Sequence, residues 1–418
     1  MKHIVIVGAG FAGLNAAKVL GKSNKVKVTV IDKLNHHLFQ PLLYQVAMAA
    51  LSPAEIAAPI RSLLSKYKNV SVAKAEVTEI DLKNKIVRSD ELNVEFDYLI
   101  LACGTQHSYF GNEKWEKYSP GLKTIEQATE IRRRVLLAFE KAEIEQNIEK
   151  KKELLTFVIV GGGPTGVELA GAIGEMSRFT LSKDFRNIDP KLTRIILVEG
   201  GPRILPMYSE KLSSRATRDL EKLGVQVWTS SMVTNIGENC VEVGKEKLNT
   251  KTVLWAAGVQ ASKLNRELGV ELDNLGRVFS NPDLTVGNHS NLFVLGDQAN
   301  FKDKNGNPLP GLAPIALQQG KFAAKNILLE IEEKKKQDFT YLDKGQAATI
   351  GRSKAIMETW KLKFGGFFAW VAWLTIHIYY LTGFKNRLFV IISWAWSYLS
   401  FKRGARLIIP KKWQIYDE

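Results

Sequence analysis

Short β-branched apolar runs, each closing on a glycine turn or an acid, recur along the first three hundred residues. His3–Val7 (H-I-V-I-V) is the first, and a continuous apolar run bounded by glycine reads as a strand buried on both faces. Gly8-Ala9-Gly10-Phe11-Ala12-Gly13 follows, then a helical stretch to about residue 22. A second strand over 25–32 (K-V-K-V-T-V-I-D) ends on Asp32. The same order returns as L-L-T-F-V-I-V, then G-G-G-P-T-G at 161–166, the helix V-E-L-A-G-A-I-G-E-M, and the strand T-R-I-I-L-V-E ending on Glu199. Further strands are predicted over 97–105, 252–259 and 291–299, the last delivering Asp297. The charged, helix-favouring stretch 126–153 predicts a connector between two domains.

Each repeat is the βαβ opening that a dinucleotide site needs. Gly8 and Gly161 make the tight turn. Gly10 and Gly163 let backbone approach a pyrophosphate, and Gly13 and Gly166 let helix and strand pack closely. The helix N-terminus presents amides to the phosphates, and the acid at the next strand end, Asp32 or Glu199, accepts from ribose hydroxyls. The acid lies 38 residues after Gly161 but 24 after Gly8, so an insertion is predicted at about 178–190. Two complete copies predict two bound dinucleotides; one working site beside a decayed copy is the weaker reading.

Hydrophobic residues make up 45% of the 418 and charged residues 24%, which excludes a disordered, collagen-like or polytopic membrane chain. Only two cysteines occur, Cys103 and Cys240, too few for a disulfide framework, a zinc ribbon or a Cys-ligated cluster. The six histidines include one close pair, His36-His37, so no protein-ligated metal is expected. Lys2–Val7 is too short for an export signal, and the sparse cysteines suit a reducing compartment. The net charge of +15 is unevenly placed. From Thr359 to Tyr416 there is no acid, nine basic residues and six of the nine tryptophans. The uncharged run 364–383 has the length of a membrane span, but a second Trp-rich stretch, 388–401, follows it with basic residues on both sides. That mixture favours a pair of helices lying in the membrane interface.

The two Gly-rich units together with Gly296-Asp297 resemble the flavoproteins with two dinucleotide-binding domains, whose fold is that of glutathione reductase. Within them, N-H-H-L-F-Q-P-L-L-Y-Q-V-A (35–47), L-S-P-A-E-I-A-A-P-I-R (51–61), G-G-G-P-T-G-V-E-L-A-G (161–171), L-P-G-L-A-P-I-A-L-Q-Q-G (309–320) and N-R-L-F-V-I-I-S-W-A-W-S-Y-L (386–399) resemble type II NADH:quinone oxidoreductases. The resemblance covers nearly the whole chain. It implies an α/β fold of two Rossmann-like domains plus a C-terminal membrane-anchoring helical region. The expected boundaries are 1–125 with 270–340 for FAD, 150–269 for NADH and 341–418 for the anchor. Non-covalent FAD would be held by Gly8, Gly10, Gly13, Asp32, Pro41, Ala102, Gly104, Asp297 and Gln318. NADH, as substrate, would be held by Gly161, Gly163, Gly166, Glu168, Glu199, Ala257 and Gly258. Glu199 favours NADH over NADPH, because a 2′-phosphate would meet a like charge.

The resemblance further implies hydride transfer from NADH to the flavin, then two-electron transfer to a membrane quinone, ubiquinone or menaquinone, without proton pumping. Glu168, Gln318 and Gln319 are the expected catalytic residues, Glu168 orienting the nicotinamide or handling a proton. The family's quinone motif A-Q-x-A-x-Q reads Ala313-Pro314-Ile315-Ala316-Leu317-Gln318 here, so only Gln318 and Gln319 remain to offer polar contacts. Cys103 is read as a small residue filling a turn. The expected partners are the quinone and an anionic bilayer on the cytoplasmic face of a bacterial inner membrane, with no nucleic acid and a homodimer left open. Two other functions fit the residues less well: an NADH-dependent reductase of a soluble electron carrier, and an NADH-binding redox sensor.

Overall fold

The computed structural model describes residues 1–182, 184–400 and 403–409. Lys402, Lys411, Lys412 and Trp413, counted above in the basic aromatic tail, lie outside the described residues. The chain forms two compact units.

The first unit comprises residues 1–38, 57–106 and 259–342. Its main sheet runs Thr285–Val286, His289–Val294, Tyr98–Leu101, Lys2–Val7, Val26–Asp32, Val70–Lys74, parallel except at the Thr285–Val294 hairpin. Lys2–Val7 is central, and its apolar residues alternate between two cores. Ile4 and Ile6 pack with Leu14, Ala16 and Ala17 of the helix Phe11–Leu20 and with Ala323, Ala324 and Ile327 of the helix Ala313–Ile331. Val5 and Val7 pack with Ile31, Leu99, Leu101 and Val294 on the other face. A strand covered on both sides has no polar face, which is why its sequence reads as an unbroken apolar run.

The second unit comprises residues 39–56, 107–258 and those from Asp343 on. Its parallel sheet runs Val225–Trp228, Arg194–Val198, Thr156–Val160, Thr252–Trp255. The helix Pro164–Glu175 passes into a wider turn over Met176–Thr180, and the next strand resumes only at Arg194, so the added residues fall where the insertion was expected. The stretch expected as a connector, 126–153, forms two helices, Ile125–Ile144 and Ile148–Leu154, the first opened by a reciprocal Thr124–Gln127 capping box and burying Ile131, Val135 and Phe139. A three-stranded antiparallel sheet, Gln346–Gly351, Lys354–Glu358, Lys363–Gly366, precedes two helices, Phe367–Tyr380 and Phe384–Ser400.

The compact units divide differently from the expected boundaries at 39–56, 107–125, 259–269 and the C-terminal stretch. Residues 39–56 cluster with the second unit because buried Arg132 grips the Val46 carbonyl through Nε and Nη2, at 2.8 and 2.6 Å, and the Leu51 carbonyl at 3.0 Å. The C-terminal stretch is likewise part of that unit. The Pro164–Glu175 helix packs so closely on the strand Gln346–Gly351 that a Cβ on Gly171 would lie 1.9 Å from the Ile350 carbonyl.

Candidate functional site

The two Gly-rich turns are built on one plan. In the first unit Val7 pairs with Ile31 on one side and Leu101 on the other. In the second, Val160 pairs with Val198 and Trp255. One residue further along each strand, Gly8, Asp32 and Ala102 stand where Gly161, Glu199 and Ala256 stand. Gly8 and Gly161 have φ of +96° and +108°. A Cβ on Gly8 would be 2.4 Å from the Ala102 carbonyl oxygen, and one on Gly161 would be 2.7 Å from that of Ala256. Five residues on from the first glycine of each turn the plan repeats: a Cβ on Gly13 or Gly166 would sit 1.8 Å from the carbonyl oxygen of Gly8 or Gly161.

The middle glycines are different. A Cβ on Gly10 would meet nothing nearer than the Ala102 carbonyl at 4.0 Å, and one on Gly163 would meet nothing within that distance. Both residues cap their helices without a side-chain hydrogen bond, and neither helix has an acid in its first turn. Four backbone donors at the first helix end, and three at the second, where Pro164 has no N–H, therefore lack intrahelical acceptors, beside space that a side chain could occupy. That combination suits a bound phosphate group.

The acids are held rigidly. Asp32 accepts from the Ala9 amide at 2.6 Å and the Leu34 amide at 2.7 Å. Burial raises its pKa above the usual carboxylate value, and these two bonds oppose the shift. Glu199 accepts from the Gly162 and Gly201 amides, both at 2.6 Å. Gly104 and Gly258 also correspond, each at φ +68°. Ala257, expected from sequence, is the neighbour of the true counterpart of Ala102, which is Ala256. Cys103 matches the turn-filling expectation in its chemistry: its amide donates to Gln298 Oε1 at 2.7 Å, and burial pushes its thiol up to about 12.

Gly296 and Asp297 follow the strand His289–Val294, and a cleft there is lined by Asp297, Gly311, Ile315 and Gln319. Gln319 is buried and its Oε1 accepts from the Gly296 amide at 2.7 Å, so it fixes the turn that carries Asp297. The Gln318 amide is tied to the backbone of Leu342 on both sides. Its Nε2 donates to the Leu342 carbonyl and its Oε1 accepts from the Leu342 amide, both at 3.0 Å. Pro314 sits in the first turn of the Ala313–Ile331 helix, where its missing N–H costs nothing.

Glu168 lies in the first half of the Pro164–Glu175 helix, and burial pushes its carboxyl up to about 8 against a backbone hydrogen bond from Thr349. It is therefore a group able to hold or release a proton near neutral pH. Pro41 opens the turn Gln40–Leu42, followed by the buried segment Leu43–Ala47. Sequence reading left His37 and Arg132 without roles. His37 is buried, donates from Nδ1 to the Ala9 carbonyl at 2.9 Å and packs edge-on to Phe11, so it braces the first Gly-rich turn. Burial holds it neutral, with a pKa of about 4. The His36-His37 pair, four and five residues after the strand-ending acid, was the one available signal.

No helix among the described residues is long and apolar enough to cross a membrane. The 20-residue run 364–383 divides at Gly366 into the strand Lys363–Gly366 and the helix Phe367–Tyr380. Fourteen helical residues span about 21 Å, short of a hydrocarbon core of about 30 Å. The two helices pack through Trp370 on Tyr398 and Trp373 on Trp394. Phe367, Phe368, Leu388, Phe389, Ile392, Trp396 and Leu399 are exposed.

A family model for pyridine nucleotide-disulphide oxidoreductases matches residues 2–320. A type II NADH:quinone oxidoreductase of Mycobacterium tuberculosis is 42% identical, over 98% of this chain and 91% of its own. One from Staphylococcus aureus is 33% identical, over 84% of this chain and 88% of its own. Among solved structures, NDH2 of Plasmodium falciparum in complex with NADH superposes with a TM-score of 0.89 at 20% identity, covering 98% of this chain and all of the other. The sulfide:quinone oxidoreductase of Aquifex aeolicus superposes at 0.75 and 19% identity, over 93% of this chain and 92% of its own. At those identities the superpositions speak for the fold alone.

Proposed function

The chain belongs to the type II NADH:quinone oxidoreductases, and within that activity we propose that the Gly8 unit holds FAD and the Gly161 unit holds NADH. The enzyme transfers electrons from NADH to a quinone without pumping protons. A bound flavin supplies the chemistry, accepting a hydride and releasing two electrons.

The observation that carries the assignment is the duplicated turn with one open position, Gly10 or Gly163, among glycines whose Cβ sites are otherwise filled, by backbone at Gly8, Gly13, Gly161 and Gly166. The open position is where a pyrophosphate would approach, with the helix amides as donors. Asp32 and Glu199 then offer their remaining lone pairs to ribose hydroxyls, each already fixed by two backbone donors. Ala102 and Gly104 complete the first cradle with Asp297, and Ala256 and Gly258, with Ala257 between them, complete the second. Gln319 positions the Asp297 turn, and Gln318 holds the chain at Leu342. Glu168 holds a proton beside the nicotinamide half of the site.

The exposed apolar faces of the helices Phe367–Tyr380 and Phe384–Ser400 suit a bilayer surface. Lys385 lies over Phe389 and Arg352 over Tyr398, which places cations among those aromatics and favours anionic lipid. Because the substrate is NADH, the bound face is the cytoplasmic one in a bacterium.

The purified protein should be yellow, and acid precipitation should release the flavin as FAD. It should prefer NADH to NADPH. Glu199→Ala should relax that preference by about 1–3 kcal/mol, the worth of a charge-assisted hydrogen bond. It should also raise the KM for NADH, since the Gly162 and Gly201 amides lose their shared acceptor. Steady-state kinetics with both nucleotides check this, and equal efficiency with both in the unaltered protein would contradict the assignment.

A further inference from the structure

In the second unit the strand Thr156–Val160 carries the Gly161 turn and is flanked by Arg194–Val198 on one side and Thr252–Trp255 on the other. Glu199 therefore stands on one side of the turn, and residues 256–258 stand on the opposite side. Both sides are tied to the turn directly. Glu199 accepts from the Gly162 amide at 2.6 Å, and a Cβ on Gly161 would lie 2.7 Å from the Ala257 nitrogen. An acid at the end of the second strand holds the adenosine ribose of a dinucleotide, and the pyrophosphate crosses at the glycine turn. The nicotinamide half then falls on the side of residues 256–258.

Each side has a glycine with an exposed apolar side chain laid against it. Beside the acid, a Cβ on Gly200 would be 2.6 Å from Met232 Sδ. On the opposite side, a Cβ on Gly258 would be 2.7 Å from Phe110 Cζ and 2.6 Å from the Ser108 carbonyl oxygen. Met232 is 65% exposed and Phe110 64%. Apolar side chains scattered singly over a surface need no explanation. These two flank one glycine turn, and strained backbone delivers both. Phe110 has φ +53°, and Ser230, two residues before Met232, has φ +51°, a left-handed conformation that bulky side chains rarely adopt. The surroundings enforce it. The Phe110 amide donates to Ser108 Oγ and its carbonyl accepts from Asn112 Nδ2, both at 3.3 Å. The Phe110 ring meets buried Trp255 edge-on, and Trp255 stacks on Tyr109 and donates from Nε1 to the Ser108 carbonyl at 3.0 Å. The Ser230 amide donates to the Gly201 carbonyl at 2.7 Å, and the Ser231 amide to the Glu199 carbonyl at 3.0 Å. Strain held in place by its neighbours clusters where a protein meets a ligand.

We propose that Met232 and Phe110 are apolar contacts of the dinucleotide in the Gly161 unit, Met232 against its adenosine half and Phe110 against its nicotinamide half. This rests on the assignment of NADH to that unit and extends it to two side chains outside the Gly-rich turn. Glu199 and the helix amides recognise ribose and phosphate, and neither can recognise a base. A thioether is polarisable and adapts to the edge or face of an aromatic base. A phenyl ring fixed before the ligand arrives loses little freedom on binding, so its contact with the nicotinamide is kept as affinity.

Titration calorimetry of the oxidised full-length holoenzyme in detergent separates the two halves, with NAD+ and ADP as probes, because ADP carries the adenosine half alone. Phe110→Ala should weaken NAD+ binding about tenfold, the worth of a base stacked on an aromatic ring, and leave ADP binding unchanged. Met232→Ala should weaken both probes by the same factor, roughly fivefold. Phe110→Asn puts a residue that accepts the left-handed backbone in place of the ring. It should lose NAD+ affinity as Phe110→Ala does, with a melting temperature no lower than the parent's. A melting temperature that falls while NAD+ affinity is kept would make the ring structural and overturn the proposal. Equal losses for ADP and NAD+ in Phe110→Ala would also overturn it, as would unchanged NAD+ affinity in either alanine variant while Glu199→Ala weakens both probes. If Glu199→Ala and both of these variants leave both affinities intact, the assignment of NADH to the Gly161 unit fails, and the proposal falls with it.

Discussion

Gly13→Ala should yield a colourless protein, whereas Gly166→Ala should yield a yellow one that NADH no longer bleaches. Both substitutions put a Cβ 1.8 Å from a carbonyl oxygen, that of Gly8 or Gly161. The obstacle is backbone, so no rotamer change relieves it, and each helix must move away from its turn. Overpacking of this kind costs about 1–3 kcal/mol or more. The displacement falls on the amides that face the phosphates, so nucleotide affinity should drop on the order of a hundredfold. The ratio of flavin to protein absorbance reads the first effect, and anaerobic titration with NADH reads the second. Loss of flavin from the Gly166 variant, with flavin kept in the Gly13 variant, would reverse the assignment of the two units.

Replacing Leu388, Ile392, Trp396 and Leu399 together with aspartate should release the protein from anionic vesicles. These residues are 46–80% exposed and spaced along one face of the helix Phe384–Ser400. Burying such a side chain in an apolar phase contributes about 1.5–3 kcal/mol, so partitioning should fall on the order of a thousandfold or more. Cutting the chain near Glu358 is a poorer test. It would remove the strand Lys363–Gly366 from its sheet, the buried Trp373 and the clamp that Ser393 makes on Glu55 at 2.7 Å. High salt should release the unaltered protein only in part, because the nearby basic residues supply only about 1 kcal/mol each. Co-sedimentation with vesicles measures both effects. A quadruple variant that still sediments like the parent would place the lipid-binding surface elsewhere.

The two turns were legible in the sequence because their physics is local. A strand buried on both faces, a glycine that must pass within contact of a carbonyl, and an acid at the next strand end all leave marks at short spacing. The insertion after the second helix was legible for the same reason. The pairing of Gln318 with Leu342 was not legible, because Leu342 lies beyond the end of the helix that carries Gln318 and no local pattern records it. The run 364–383 was counted as one apolar segment because hydropathy does not register that Lys363–Gly366 pairs with Lys354–Glu358, or that Gly366 turns at φ +94°. The contacts of Trp394 with Gln45 and of Arg132 with Val46 and Leu51 join residues distant in sequence, where periodicity says nothing.

Anaerobic double-mixing absorbance spectroscopy on the full-length protein tests the central assignment most directly. Mixing with NADH should bleach the flavin band in a first phase, and a second mixing with a short-chain quinone should restore it, with both phases fast enough to account for steady-state turnover. Glu199→Ala should slow the first phase at limiting NADH and leave the second unchanged. A flavin that NADH bleaches but quinone fails to reoxidise, or a protein with no flavin band at all, would contradict the account.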